Sequence, residues 1–597
     1  MKKISDTRKD LVNSDFFSLS ILLLAMPTLG LMIQCALFLF GKTCSPFPMW
    51  TSFLLFSLLA LLIHWKCLFK FWGLILLALF FTSFTFSYFD FDAENYHIPM
   101  QMLLKEGWNP VFDSTVEKFS VIADGTTFSV YHTLFLPKTV ALCGALVADA
   151  TGLWIADSFL GYILFFVLVK TSYIFARKTW NCSWKSANLF AAAISFNTKF
   201  SVMIDGRIDF HTYTALMIAL FSLALYWREH RLHDFILSIL ATAICCTTKS
   251  TGLLCCTLMW ILFAVFSLKN RAIYCGIPML ILLIAWIGMS PLMTAWIQYG
   301  SPFYPSMTFD PKIAVVDITS DFRGNTDAEQ MGYLARTVYS WFSTSLATKA
   351  CAWYYNKADF NPVFSVTGGI NGLKELNLLL FVGVILLLLA KKNIVTFACL
   401  FILVTLVLCP VKYIGYGRYF PQAWAVIPMG FFQFACLPPS WIVIRPKLKI
   451  ISQCCLYGVI GLLICFSFIK ILSFQVRSMI LEGRRQAQLA DMRENGMVFM
   501  LPKNSNRTFT LSRRLTSAGV ASAYGQYAID TEHLEEDKHY PQYQNYYLEF
   551  WKEENNYPIC NTPASFLRFR WLDVFKSFPH PLFCHQPQTP EPFPSAE

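Results

Sequence analysis

The sequence is poor in charge. Only 14% of its 597 residues are Asp, Glu, Lys or Arg, whereas soluble domains contain about a quarter. Apolar runs long enough to cross a bilayer recur from about residue 16 to residue 472. This composition excludes an ordinary soluble domain and indicates a polytopic membrane protein with the lipid bilayer as its surroundings.

Other chemical signatures are also missing. No cysteine pair has the CxxC spacing of a zinc site, no glycine-rich loop has the pattern that cradles phosphates, and no soluble-type repeat recurs. Many of the 19 Cys lie inside apolar runs, where cysteine behaves as a small hydrophobic residue. The net charge of +11 does not indicate nucleic acid, because Lys and Arg of membrane proteins collect in cytoplasmic loops.

The apolar windows predict an all-α fold of about thirteen transmembrane helices. The windows are 16–41, 47–64, 68–88, 154–176, 185–203, 208–227, 233–249, 251–268, 272–290, 375–390, 394–412, 419–437 and 450–472.

The basic residues predict which side of the membrane each loop faces. The N-terminus "MKKISDTRKD" is basic and is therefore expected in the cytoplasm. Segment 134–150 is apolar but short, and it contains Lys138 and Asp149. If it crossed the membrane, the basic loops "ARKTWNCSWK" and "WREHRLHD" would lie outside, so we predict that it lies in the interface. The C-terminus is then extracytoplasmic.

Three regions follow from this topology. Residues 1–67 form two N-terminal spans, and residues 68–472 form a transmembrane module with outer loops 89–153 and 291–374. Residues 473–597 form an extracytoplasmic tail, which we predict to be a small α/β or irregular domain. Its end, "HQPQTPEPFPSAE", is rich in proline and predicted to be disordered.

An acidic cluster follows the third span in "FSYFDFDAENYHIP", at the predicted outer boundary of the membrane. In a helix, Asp90, Glu94 and His97 would share a face, whereas in an extended chain Asp90, Asp92 and Glu94 would align. A partly dehydrated carboxylate can act as a general base or bind a metal. The alternative is a solvated loop at the end of a span.

A second acidic cluster, "MIDGRIDFHTY", lies on the same predicted face and contains Asp205, Arg207, Asp209 and His211. Taken alone, it is equally compatible with a structural Asp–Arg pair in a loop. Two acidic clusters that are distant in sequence but share one membrane face favour a common site.

Two cations are also predicted on this face, Lys249 in "CCTTKSTGL" and Arg418 in "VKYIGYGRYFPQAW". Outer cations run against the positive-inside bias, and both residue types bind phosphate. Lys249 could instead extend to the interface as a structural residue. The loop "WIQYGSPFYPSM" contains Tyr304 and is typical of an interfacial anchor, although aromatic faces also bind sugars.

Five short motifs in this order resemble those of the membrane-embedded glycosyltransferases of the C type (GT-C). More narrowly, the sequence is similar to the bacterial relatives of protein O-mannosyltransferases and of lipid A aminoarabinose transferases. The resemblance covers about residues 68–437, with two extra spans before the acidic loop, and leaves the second acid ambiguous between Asp205 and Asp209. The motifs are "DAENYHIP", "DGRID", "TKSTGL", "GSPFYP" and "GRYFPQAW".

The resemblance implies transfer of a sugar from a polyprenyl-phosphate donor to a glycolipid, glycan or protein acceptor, with inversion, at the outer face of a bacterial inner membrane. Asp92 would be the base, with Glu94 and His97 positioning it. Asp209 would orient the acceptor or share a divalent metal, Mg²⁺ or Mn²⁺, with Asp92. The expected donor-phosphate ligands are Lys249 and Arg418, and the expected substrate-lining residues are Tyr96, Asp205, Arg207, Tyr304 and Tyr419.

Three rival functions remain at this point. A lipid-linked oligosaccharide ligase or polymerase would share the donor chemistry but transfer a larger glycan. A secondary transporter would place its ionisable groups near the midplane of the membrane, on broken helices. A non-enzymatic scaffold would leave the acids and cations of the outer face without a role.

Overall fold

The structure is a computed structural model, and its described part is mainly helical. It describes residues 2–83, 96–113, 133, 136–196, 200, 208–266, 271–288, 374–391, 393, 396, 398–399, 422–443, 445–494, 498–501, 513, 515–516, 519 and 521–524.

The helices follow the apolar windows of the sequence. In chain order they are α1 (Lys2–Leu39), α2 (Phe47–Ile63), α3 (Trp65–Ser83), α4 (Ile98–Lys105), α5 (Thr139–Thr151), α6 (Ser158–Trp180), α7 (Trp184–Ser195), α8 (Asp209–Glu229), α9 (Leu232–Thr248), α10 (Ser250–Phe266), α11 (Arg271–Ile287), α12 (Lys374–Leu389), α13 (Ala423–Cys436), α14 (Ser440–Val443) and α15 (Pro446–Glu494). Two short strands, β1 (Val498–Leu501) and β2 (Ala521–Tyr524), pair in parallel.

Within the described residues, five helical segments are long and apolar enough to cross a membrane. The prediction of a mainly helical protein with helices that could span a membrane is thereby confirmed. The count of thirteen spans and the C-type fold stay predictions. The five segments are Leu19–Leu39, Trp65–Ser83, Ser158–Trp180, Asp209–Glu229 and Pro446–Ile469.

Several helix bounds differ from the apolar windows. α7 ends at Ser195, short of the predicted 203, and α15 continues to Glu494, well beyond the predicted 472. The extension of α15 is rich in Arg, Gln, Leu, Ala and Met, which are strong helix formers, so the helix persists after the hydropathy falls. Most of the window 394–412 lies outside the described residues.

Contacts between helix ends show how the helices run. At one end, Lys178 Nζ of α6 lies 3.2 Å from Glu229 Oε1 of α8. At the other end, His211 Nε2 of α8 lies 3.2 Å from the carbonyl oxygen of Asp157, just before α6. Thus α6 and α8 are parallel. We call the end that carries Lys178, Glu229 and Arg231 the basic end.

The opposite end is called the Lys249 end, because Lys249, which follows α9, pairs there with Asp209 at the start of α8. The ends of α1 and α11 also lie there. Cys35 Sγ of α1 lies 3.6 Å from the carbonyl oxygen of Ile287, and the next residue, Gly288, packs against Thr247 of α9. Helices that alternate in this way bring loops distant in sequence to one surface.

Helix α5 lies at the Lys249 end beside the start of α6. A Cβ atom on Gly144, near the middle of α5, would lie 2.9 Å from the backbone nitrogen of Asp157. Its 13 residues give a length of about 20 Å, less than the hydrocarbon thickness of about 30 Å. The prediction that segment 134–150 lies in the interface stays a prediction.

Aromatic side chains pack α6, α8 and α13 together. The rings of Phe175 and Phe221 stack with centroids 4.4 Å apart, and Trp180 stacks on Phe432 at 6.0 Å. These rings are buried, and close packing of this kind makes the helix core resistant to relative movement. The halves of α6 and α8 nearer the basic end are therefore held in fixed relative positions.

Candidate functional site

A buried ion pair joins two of the predicted site residues. Lys249 Nζ contacts Asp209 Oδ1, and the side chains are 14% and 2% exposed, respectively. Asp209 is the first residue of α8, where the helix dipole favours a negative charge. The low dielectric at this depth strengthens the attraction but also makes either charge costly without the other.

The position of Lys249 follows from a tight connection between α9 and α10. Lys249 alone separates the two helices and has an extended backbone, with φ −151° and ψ 144°. A Cβ atom on Gly252 would lie 2.4 Å from the carbonyl oxygen of Cys245, so only glycine permits α10 to turn back this closely on α9. In turn, Cys245 Sγ lies 3.5 Å from the carbonyl oxygen of Thr212 on α8. These contacts aim Lys249 at Asp209.

The second acidic cluster is divided by helix α8. Asp209 and His211 are two positions apart, and therefore about 200° around the helix. Asp209 faces Lys249, whereas buried His211 donates from Nε2 to the carbonyl oxygen of Asp157 at 3.2 Å. Asp205 and Arg207 lie outside the described residues. Among the described residues of this cluster, Asp209 is the acid that contacts a predicted phosphate ligand, and the choice between Asp205 and Asp209 stays a prediction.

The first acidic motif ends in a helix. Tyr96 and His97 precede α4, with ring centroids 4.3 Å apart, and His97 is buried. Pro99 occupies the first turn of α4, where the missing N–H of proline costs nothing. Asp92 and Glu94 lie outside the described residues. Their approach to Asp209 therefore remains a prediction.

The remaining predicted site residues lie outside the described part of the chain. Within the described part of the chain, no three His, Cys, Asp or Glu side chains group as a metal site would require. A metal shared between Asp92 and Asp209 stays a prediction, because Asp92 is not among those residues. The other site residues outside the described part are Tyr304, Arg418 and Tyr419.

Three further polar residues at the Lys249 end were not identified as site residues from sequence. Gln101, Lys138 and Asp157 are all buried. Lys138 donates to the carbonyl oxygen of Leu136 at 3.2 Å and lies 5.5 Å from the ring centroid of Trp108. Burial lowers the pKa of the Lys138 ammonium to about 7, because removal from water disfavours the charged form. A lysine after proline within an apolar segment was the available signal.

The tail contacts the loop after α4. Arg513 Nε lies 2.5 Å from Glu106 Oε1, and its Nη2 lies 2.8 Å from Oε2, which makes a bidentate pair. Asn109, three residues beyond Glu106, donates to the carbonyl oxygen of Phe38 at 2.9 Å, near the end of α1. Arg513 of the tail therefore lies at the Lys249 end.

No protein-family model, curated protein or solved structure matches this chain. The resemblance to C-type glycosyltransferases accordingly rests on the quoted motifs.

Proposed function

We propose that the protein is an integral-membrane glycosyltransferase of the C type. It would transfer a sugar from a polyprenyl-phosphate donor to a glycolipid, glycan or protein acceptor. The observation that supports this proposal most directly is the buried Asp209–Lys249 pair, at the end of the helices opposite the basic loops. It joins an acid and a cation that the motif resemblance had assigned to one site.

The basic loops support the orientation of the proposed enzyme. Lys178 and Arg231 both contact Glu229 at the basic end, and Lys391 lies there beside the end of α13. By the positive-inside rule this end is cytoplasmic. The Lys249 end and the tail then face the periplasm of a bacterial inner membrane, and the N-terminus is cytoplasmic.

The position of the ion pair suits a lipid-linked donor. A polyprenyl chain cannot leave the bilayer, so its phosphate must be bound where a membrane helix ends. Lys249 lies at such an end, after α9, and its ammonium can neutralise the phosphate as the leaving group, with Arg418 as the expected second cation. Phosphate on Lys249 would compete with Asp209, which would free that carboxylate for the acceptor.

The proposed reaction is a direct displacement. The acceptor oxygen or nitrogen forms a bond to the anomeric carbon while the bond from that carbon to the phosphate oxygen breaks. The acceptor proton passes to the Asp92 carboxylate, and the bonding electron pair leaves with the polyprenyl phosphate. Attack opposite the leaving group inverts the anomeric centre.

One of the rival functions, secondary transport, is less well supported than sugar transfer. A secondary transporter would place its ionisable groups near the midplane, whereas Asp209 begins α8 and Lys249 follows the last residue of α9. A ligase or polymerase shares the donor chemistry. The mass of the product would separate it from a transferase of single sugars.

The test is sugar transfer by the full chain in proteoliposomes, with mass spectrometry of surface glycolipids and glycoproteins from matched cells. We expect Lys249→Met and Asp92→Asn each to lower transfer by about 10²–10³-fold, the range for loss of one stabilising charge or proton acceptor. Lys178→Met, at the basic end, is the matched control and should retain activity. Full transfer by Asp92→Asn would show that Asp92 is not the base. If the glycans stay unchanged in every variant, the proposal of an enzyme is overturned.

A further inference from the structure

Two fully buried glutamines differ in how their amides are satisfied. Gln433, at the basic end, donates from Nε2 to the carbonyl oxygen of Lys391 at 2.9 Å and to Thr396 Oγ1 at 2.8 Å; among the described residues its Oε1 has no hydrogen-bond partner. Gln101, on α4, is 0% exposed, and no described residue forms a hydrogen bond with either its Nε2 or its Oε1. An unpaired buried polar group costs about 1–3 kcal/mol, so Gln101 is a costly residue at this position.

The carboxamide of Gln101 faces the start of α6. A Cβ atom on Gly144 would lie 2.5 Å from Gln101 Oε1 and 2.9 Å from the backbone nitrogen of Asp157. The bare surface of Gly144 therefore lets the amide approach the first turn of α6. The hydroxyl of Ser158, the next residue, is also buried without a described partner. The carboxamide of Gln101 and the hydroxyl of Ser158, neither of which has a described hydrogen-bond partner, thus both lie at the first turn of α6.

This polar cluster lies between two parts of the proposed site. Gln101 is four residues after His97, so both lie on one face of the helical segment that follows the acidic motif. Asp157 contacts His211 on α8 at 3.2 Å, and Asp209 on the other side of α8 holds Lys249. A sugar joined to a phosphate on Lys249 could extend across the start of α8 toward Asp157 and Gln101.

We propose that Gln101 and Ser158 recognise a hydroxyl group of the donor sugar. This inference rests on the proposed function and names the residues that would distinguish a sugar-bearing carrier from the bare carrier phosphate. A carboxamide offers two N–H donors and one carbonyl acceptor, which suits a neutral hydroxyl that both donates and accepts. Because Gln101 is fully enclosed, binding requires α4 to move away from α6 or Gln101 to change rotamer.

The test uses the purified full chain and measures affinity by ligand-dependent thermal stabilisation. The probes are undecaprenyl phosphate and the same carrier esterified with glucose, mannose, galactose or arabinose. We expect the wild type to bind at least one sugar-bearing lipid more tightly than the bare carrier. Gln101→Met and Ser158→Ala should each lower the affinity for that sugar-bearing lipid by about five- to tenfold, as expected for loss of one hydrogen bond. The affinity for the bare carrier should be unchanged.

The controls separate recognition from packing. Gln433→Met removes a buried glutamine at the basic end and should lower the melting temperature without altering sugar discrimination. Gln101→Met should leave the unliganded melting temperature equal or higher, because it removes an unpaired amide. If the wild type binds neither kind of lipid, the proposed function itself fails. If it binds all lipids equally, or if both variants still discriminate, the assignment of Gln101 and Ser158 is overturned while the proposed function stands.

Discussion

The two ends of the helices use the same charged groups in different surroundings. At the basic end, Glu229 contacts both Lys178 and Arg231, and these three side chains are 18%, 28% and 37% exposed, respectively. At the Lys249 end the ammonium of Lys249 contacts the carboxylate of Asp209, and this carboxylate is almost fully buried. Solvated cations can set the orientation of the protein in the membrane at little energetic cost. A buried ion pair costs desolvation energy, so its presence suggests a role in binding.

Replacing one lysine at each end by methionine should give the largest difference in stability. Lys249→Met should destabilise the protein by about 3–5 kcal/mol, because it removes the ammonium that contacts the buried carboxylate of Asp209. Lys178→Met should cost less than about 1 kcal/mol, because Glu229 stays partly solvated and keeps Arg231. Thermal unfolding in one detergent measures both variants. The double change Lys249→Met with Asp209→Asn should recover most of the loss, and a double variant as unstable as the single would contradict the ion-pair explanation.

A glycine at the Lys249 end gives the second contrast. Gly252→Ala should destabilise by about 1–3 kcal/mol, because the added methyl group meets the backbone of Cys245 and forces α10 away from α9. Since Lys249 would move with this connection, sugar transfer should also fall. Gly461→Ala in α15 is the control, because a Cβ atom there has no described atom within 4 Å. Equal melting temperatures for the two variants would show that the connection tolerates the methyl group.

Much of the helical pattern could be predicted from sequence, and little of the site could. α2 and α9 match their apolar windows to within a residue, because hydropathy reports burial in lipid or core directly. The α15 extension was missed because helix formation outlasts hydropathy. Lys249 and Asp209 were both singled out, but their pairing depends on the turn that Gly252 permits. Gln101 carried no signal at all, since a buried glutamine and a surface glutamine look alike in sequence.

Lys138 extends the comparison to pH. Its folded-state pKa of about 7 lies below its ordinary value of 10.5, so between these values the unfolded chain binds more protons than the folded chain. Stability should therefore rise with pH from about 7 to 10, by up to about 1.4 kcal/mol per pH unit. Below pH 7 this contribution should be constant. The check is the difference in melting temperature between the wild type and Lys138→Met across that range; a constant difference would contradict the lowered pKa of Lys138 in the folded protein.

Removing the contact between the tail and the loop after α4 should have the smallest effect on stability. Arg513 and Glu106 are partly exposed, with side chains 22% and 33% exposed, so Arg513→Ala should cost about 0.2–1 kcal/mol. We expect faster amide hydrogen exchange in β1 and β2, with little change in global melting. The charge swap Arg513→Glu with Glu106→Arg should restore protection. Unchanged exchange in the single variant would show that other contacts hold these strands.

The one-residue connection between α9 and α10 has a consequence for biogenesis. Between residues 235 and 268 the sole charged residue is Lys249, so in the proposed topology the two helices would enter the bilayer as a hairpin with one ammonium at its tip. Carrying a lysine through the centre of a bilayer costs about 2.5–3.5 kcal/mol on translocon scales. Asp209 lies earlier in the chain and would already be in place. The carboxylate could therefore capture the arriving tip and make insertion of the hairpin difficult to reverse.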